Sequence, residues 1–308
     1  MDLKEVAKKG NRLTGGHRLC SGCGAGTVTR MILGASDNPA VVGCATGCLE
    51  VSTTIYPYTA WEDSFIHNAF ENVAATVSGA ESAYRALRRQ GKLDEDYDFI
   101  AFGGDGGTYD IGFQSLSGAM ERGHDMVYVC YDNGAYMNTG IQRSSATPKG
   151  ANTTTSPSGE VIPGKQQYRK ELTDIMAAHG LPYVAQTSPW RPADVIKKAK
   201  KAFEVDGPAF LNILATCPRG WRSEAEKGIE ITKTAADTCF WPLFEVEDGE
   251  WKLNYKPKEK KPIEEWLKPQ GRFKHLFKDN NKEVIEDIQD HIDQRWEFIL
   301  KRCGEKEE

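Results

Sequence analysis

The sequence predicts an α/β fold, a doubly wound and mostly parallel sheet with a C-terminal helical extension. Three observations carry this. Short apolar runs rich in β-branched and aromatic residues alternate with helix-like stretches, the pattern of a parallel sheet covered on both faces. A length of 308 residues suffices for one large α/β domain plus an appendage. Every unusual motif falls directly after one of the apolar runs, which is where open α/β sheets bind ligands.

Taken in order, strands are expected at 40–45, 99–102, 126–131, 183–186 and 209–215. Between them, 65–89 reads as one long helix, 112–122 as a shorter one, and 170–179 and 193–203 as two more. Residues 148–164 are too polar and too rich in Pro, Gly, Ser and Thr for a buried element, so a long functional or disordered loop is expected. After Phe240 the composition shifts to Lys, Glu, Asp and Trp, which divides the chain into 1–240 and a charged extension, 241–308. Within the extension, Ile285, Ile288, Ile292, Trp296 and Ile299 recur at spacings of three and four, an amphipathic helix expected to dock on its own domain in preference to another subunit.

Charged residues make up 27% with a net charge of −5, and the basic ones are spread along the chain, which argues against nucleic acid as the main partner. The longest apolar runs, such as 126–131, are far too short to span a bilayer, and no cleavable apolar segment follows Met1. A soluble, cytoplasmic protein with no membrane role is expected. Its eight cysteines then read as metal ligands, reactive thiols or small buried groups, not as a disulfide framework.

Cys48 follows the first expected strand, Gly103-Gly104-Asp105-Gly106-Gly107 the second, Asp132-Asn133 the third and Cys217 the last. The glycines let backbone approach a phosphate, and the lone carboxylate is a hard oxygen ligand, which suits Mg²⁺ on a diphosphate with Asn133 and a backbone carbonyl completing the set. A glycine-rich turn with no ligand is the bland alternative, since the Lys-Ser/Thr ending of a P-loop is missing.

The cysteines leave two readings open. Cys20, Cys23, Cys44 and Cys48 have nearly the spacing of a four-cysteine zinc site. Alternatively Cys217 is the fourth ligand of an iron-sulfur cluster and Cys44 is a small buried strand residue. Cys130, Cys239 and Cys303 are expected to be structural. His67 and His179 are placed on helices as packing or surface residues. His17 and Arg18, beside Cys20, make either a loop contact or a positive charge that favours a reduced cluster.

Residues 19–24 (Leu-Cys-Ser-Gly-Cys-Gly), 45–50 (Ala-Thr-Gly-Cys-Leu-Glu), 103–112 and 131–143 together resemble the β subunits of pyruvate:ferredoxin oxidoreductases, members of the 2-oxoacid:ferredoxin oxidoreductase family. The likeness runs from about residue 10 to 245. It implies a thiamine-diphosphate fold with one 4Fe-4S cluster on Cys20, Cys23, Cys48 and Cys217, and so decides against Cys44. It also implies Mg²⁺ on the Asp105 carboxylate, the Asn133 side chain and the Ala135 carbonyl. Cys48, Gly104, Asp105, Gly106, Gly107, Asn133, Gly134, Ala135, Tyr136 and Asn138 would surround the cofactor, with Asn138 reaching toward substrate in the catalytic role. The chain departs from some relatives at Ala25 and Gly134, where they carry Glu.

The implied activity is reversible oxidative decarboxylation of a 2-oxoacid, pyruvate first, with coenzyme A, to acyl-CoA, CO₂ and reduced ferredoxin. Branched-chain oxoacids and oxalate are the alternatives within the family. Outside it, the rivals are a non-redox thiamine decarboxylase and a zinc-stabilised binding module. The resemblance further implies an obligate hetero-oligomer: an α subunit would supply the pyrimidine-side glutamate and the substrate pocket. Because no Cys-x₂-Cys-x₂-Cys-x₃-Cys run is present, a ferredoxin-like subunit would carry electrons on to external ferredoxin.

Overall fold

A computed structural model describes residues 3–278 and 281–305. The strands are β1 (Ala40–Ala45), β2 (Ser64–Asn68), β3 (Asp98–Gly104), β4 (Val127–Asp132), β5 (Tyr183–Thr187), β6 (Ala209–Leu214), β7 (Leu243–Glu247) and β8 (Glu250–Tyr255). The α-helices are α1 (Leu3–Lys8), α2 (Gly24–Ala35), α3 (Cys48–Thr53), α4 (Val73–Arg89), α5 (Phe113–Glu121), α6 (Leu172–Ala177), α7 (Pro192–Glu204), α8 (Pro218–Trp221), α9 (Gly228–Asp237), α10 (Glu264–Leu267) and α11 (Lys282–Arg302).

The strands form one sheet in the order β2-β1-β3-β4-β6-β5-β7-β8, parallel except for β7 and β8. Successive residues of each central strand go to opposite cores. Val42, Ile100, Phe102, Val129 and Leu211 pack with Val28, Ile32, Val195 and Ala199 of α2 and α7. Their neighbours Ala101, Tyr128, Cys130, Val184 and Phe210 pack with α4, α5, α6 and the C-terminal elements. Burial on both faces explains why these strands read as continuous apolar runs.

Three expectations are corrected. The stretch 65–89 is not one helix, because residues 64–68 form β2, the edge strand parallel to β1, and the helix begins at Val73. Ile66, Phe70, Val73 and Val77 happen to fall at helical spacing, which hid a short, half-exposed strand. His67 consequently lies on a strand, with Nε2 2.8 Å from Thr46 Oγ1. The helix expected at 112–122 is preceded by a π-helical turn, Gly106–Ile111, in which Gly112 N–H donates to Gly107 O at 2.7 Å.

The third correction concerns the extension. The sheet does not stop at residue 240, since β7 and β8 add to it through an Asp248-Gly249 hairpin whose φ values are 49° and 85°. Two positive φ angles at an Asp-Gly pair are the signature of the turn that joins twisted antiparallel strands. Trp241, Leu243, Phe244 and Val246 lie in the same core as α6 and α9.

The amphipathic helix is α11, which buries Ile285, Ile288, Ile292, Trp296 and Ile299 against its own chain. Arg295 clamps it by two bonds to Asp174, at 2.7 and 2.6 Å. The 148–164 loop has no helix or named strand, but Ala151 and Thr153 at its base are buried, and Gly150 packs against Leu276 and Ile288 of the extension. No helix among the described residues is long and apolar enough to cross a membrane.

Candidate active site

The strands that carry the motifs, β1, β3, β4 and β6, are consecutive neighbours in the sheet, so their C-terminal ends form one rim. On β3 and β4, Gly104 pairs with Tyr131, which sets the following residues, Asp105 and Asp132, side by side. Asp105 then caps the π-helical turn and Asn133 begins the loop after β4.

Asp105 is fully buried. Its Oδ2 accepts the Ser144 hydroxyl at 2.5 Å and its Oδ1 accepts Asn133 N–H at 3.1 Å. The end of the Asn133 amide that faces this carboxylate lies 2.9 Å from Asp105 Oδ1 and 3.0 Å from Ala135 O. With nitrogen at that position the amide donates twice. With oxygen there, three oxygens converge, an arrangement that requires a cation. Octahedral ligands bound at 2.0–2.1 Å stand about 2.9 Å from their neighbours, so the spacing fits Mg²⁺. Burial, and after it Asp132, raises the Asp105 carboxyl well above the usual carboxylate range, a cost that a bound cation relieves.

A narrow cleft opens above this trio, lined by Cys48, Gly104, Gly106, Gly107, Tyr131, Asn133, Ala135, Tyr136 and Asn138 among others. The Tyr136 ring lies so close over Gly106 that a Cβ there would stand 2.4 Å from it, which is why this position needs glycine. Gly134 supports the rim from beneath by donating its N–H to Asp132 Oδ1 at 3.0 Å.

The cysteine loops close on the same rim. Cys23 caps α2, Cys48 opens α3 and Cys217 caps α8, so three thiols sit where free backbone N–H groups point outward. Gly220 N–H donates to Cys217 Sγ at 3.3 Å. Two bonds stitch the first loop to the last: Gly24 N to Thr216 O at 2.9 Å and Thr216 Oγ1 to Gly22 O at 3.2 Å.

Burial pushes the Cys48 thiol up to about 12, with Cys217, Cys23 and Cys20 adding to it. Burial likewise raises Cys23 to about 11, again with Cys217 and Cys20 contributing. Cys48 and Cys23 thus both feel the charge of Cys217 and Cys20. Cys44 is raised by burial and by Glu50, and lies within β1 beneath them. Among the described residues, no group of three or more His, Cys, Asp or Glu converges tightly enough for a single metal ion. Cys130 and Cys239 are buried, as expected. His17 Nε2 lies 3.1 Å from an Arg30 guanidinium nitrogen, a contact within the N-terminal loop and α2.

Several supporting contacts escaped the sequence reading. Asp132 is paired with Arg169 at 2.9 Å and accepts the Tyr109 hydroxyl at 2.7 Å. Lys165 donates to the carbonyls of Ser145, at 3.2 Å, and Thr147, fastening the segment that carries Ser144. Trp221 Nε1 donates to Asn133 O at 2.7 Å. Only long-range packing gives these roles, although their neighbours in sequence were noticed.

The family described as the thiamine pyrophosphate enzyme, C-terminal TPP binding domain, matches residues 42–213. The chain belongs to the thiamine pyrophosphate enzymes. It is 52% identical to pyruvate synthase subunit PorB of Thermotoga maritima over 96% of this chain and 94% of that protein. It is likewise 52% identical to PorB of Methanocaldococcus jannaschii, over 92% and 95%. Within that class, its family is that of the PorB subunits. Ketoisovalerate oxidoreductase subunit VorB of Pyrococcus furiosus is 44% identical over 93% of this chain and 91% of its own. The fold is shared with 2-oxoglutarate:ferredoxin oxidoreductase from Magnetococcus marinus, solved with 2-oxoglutarate, coenzyme A and succinyl-CoA bound, at a TM-score of 0.57, 20% identity, and coverage of 76% and 81%.

Proposed function

We propose that the chain is the thiamine-diphosphate-binding β subunit of a pyruvate:ferredoxin oxidoreductase, with Mg²⁺ on Asp105, Asn133 and Ala135 and one 4Fe-4S cluster on Cys20, Cys23, Cys48 and Cys217. The observation that carries it is the convergence of the Asp105 carboxylate, the Asn133 amide and the Ala135 carbonyl, 2.9 and 3.0 Å apart, in a cleft that Cys48 also lines. A diphosphate and a redox centre thereby share one rim. Cys23, Cys48 and Cys217, each at the start of a helix around one rim, suit a multi-iron cluster with Cys20 as the fourth ligand.

Bound here, the cofactor supplies the electron sink for loss of CO₂ from a 2-oxoacid, and a cluster can carry away the two electrons one at a time. The chain's own residues hold and shape. Asp105, Asn133 and Ala135 fix the metal and so the diphosphate, Gly106 admits the Tyr136 ring over the cofactor loop, and Asn138 orients substrate from the cleft wall. On this reading the pyrimidine-side carboxylate comes from an α subunit. A ferredoxin-like subunit completes the path to external ferredoxin, in the cytoplasm, while coenzyme A takes the acyl group. The similarity to a ketoisovalerate oxidoreductase subunit favours branched-chain oxoacids as the second substrate reading.

Anaerobic purification of the complex tests this. Broad brown absorbance that bleaches with dithionite is expected, lost in Cys217→Ala and kept in Cys44→Ala. A colourless protein containing zinc overturns the cluster. Asp105→Ala should abolish retention of thiamine diphosphate, and unchanged retention refutes the metal assignment. Acetyl-CoA formation from pyruvate, compared with turnover of branched-chain oxoacids, decides the substrate.

A further inference from the structure

Arg272, on the 3₁₀ segment Gly271–Phe277 of the extension, is a buried cation at 2% exposure. Its Nε donates to Gln270 Oε1 at 3.0 Å, and among the described residues no carboxylate pairs with it. The guanidinium lies over the rings of Trp221, at 4.5 Å, Phe273, at 5.0 Å, and Trp266, at 5.7 Å. Both walls of the site touch this arrangement. Trp221 N–H bonds Cys217 O at 2.8 Å, the indole bonds Asn133 O, and Arg272 Nη1 stands 3.0 Å from where a Cβ of Gly134 would be.

An unpaired charge this deep is costly unless something negative answers it. The protein atoms around Arg272 supply aromatic faces and one amide oxygen, which do not balance a full charge. Cys217, then Asp132 and Asp105, act on Arg272 electrostatically; Asp132 is already paired with Arg169, which leaves Cys217 and Asp105 as the groups that become negative when metal is bound. A four-thiolate cluster becomes more negative by one unit on reduction, so a fixed cation beside it favours the reduced form.

We propose that Arg272 sets the reduction potential of the cluster: its guanidinium, held on Trp221 between the Cys217 loop and the Gly134 turn, stabilises the electron that the cluster receives. The extension is thereby part of the redox machinery. This rests on the cluster assignment to Cys20, Cys23, Cys48 and Cys217. The electron comes from oxidation of the 2-oxoacid and leaves to ferredoxin, and Arg272 gains and loses no proton or electron.

The test is a redox titration of the whole complex by EPR under anaerobic conditions. The component missing from a Cys217→Ala complex identifies this cluster. Arg272→Met, which keeps stem length and removes charge, should shift the reduced-to-oxidised ratio at a fixed potential about tenfold toward oxidised, equivalent to about 59 mV for one electron. Arg272→Lys should stay near wild type. A Met variant with full iron content and an unmoved midpoint overturns the proposal. If Met assembles no cluster, Arg272→Gln, which can still stack on Trp221, reads the same charge and is held to the same outcome. Should both neutral variants lack the cluster while Lys retains it, the charge serves assembly and the proposal falls, as it also does if Lys loses the cluster and shape alone matters. A wild-type complex with no Cys217-dependent iron signal refutes the cluster reading instead.

Discussion

Ser144 donates its hydroxyl to Oδ2 of Asp105 at 2.5 Å, which leaves Oδ1 turned toward Asn133. The carboxylate is thereby oriented as well as placed. Removing this bond frees a buried acceptor, a loss of about 1–3 kcal/mol when the partner is charged. Ser144→Ala should therefore weaken Mg²⁺-dependent thiamine-diphosphate binding by roughly tenfold or more while the protein stays folded. Calorimetric titration with the cofactor and Mg²⁺ measures it, and an affinity equal to wild type would show that Asp105 needs no second anchor.

Lys165 carries a pH dependence. Burial first, then Arg143 and Arg169, lower its ammonium from 10.5 to about 7. Between these values the unfolded chain holds a proton that the folded chain does not, so stability rises with pH across that window, by up to about 1.4 kcal/mol per unit. Below about 7 both states are protonated and the burial cost is present in full. The stability of wild type minus that of Lys165→Met should thus grow between pH 7 and 9.5. Denaturant midpoints across this range measure it, and a constant difference would mean that Lys165 keeps its ordinary ionisation.

Arg169 and Asp132 form a buried pair that Tyr109 completes, since the Tyr109 hydroxyl donates to Asp132 Oδ2 and receives the Arg169 guanidinium at 2.7 Å. Arg169→Met leaves a buried carboxylate unpaired directly below the Gly134 turn, which should cost about 3–5 kcal/mol of stability. Asp132→Asn with Arg169→Met should recover part of that loss. A thermal-unfolding cycle of the two single variants and the double gives the coupling; strict additivity would show that the pair is not coupled.

The central strands were legible because burial on both faces writes itself as apolar runs, and the site loops because β1, β3, β4 and β6 end on the residues that stood out: Cys48, Asp105, Asn133 and Cys217. What stayed hidden depends on packing across long separations. β2 is an edge strand whose Ile66 continues the spacing of the helix behind it, so periodicity could not part the two. β7 and β8 were masked by charge, although Asp248-Gly249 is a hairpin signal that composition alone overrode. Arg272 and Ser144 sit in unremarkable sequence and gain their roles from what the fold sets against them.

The helix α11 stood out in the sequence by its spacing, and its burial separates docking from partner recognition. Ile299 is fully buried against the extension core, whereas its neighbour Phe298 is 40% exposed and touches Arg295 and Arg302. Truncating a buried isoleucine removes both transfer energy and contacts, about 2–5 kcal/mol, while a surface aromatic contributes much less. Ile299→Ala should therefore lower the denaturation midpoint clearly and Phe298→Ala only slightly, in the isolated chain and without partner subunits. If the two variants matched, or if the Ile299 loss appeared only in the assembled complex, α11 would be an intersubunit element; a large loss in the chain alone shows that it belongs to the packing that holds Arg272 in place.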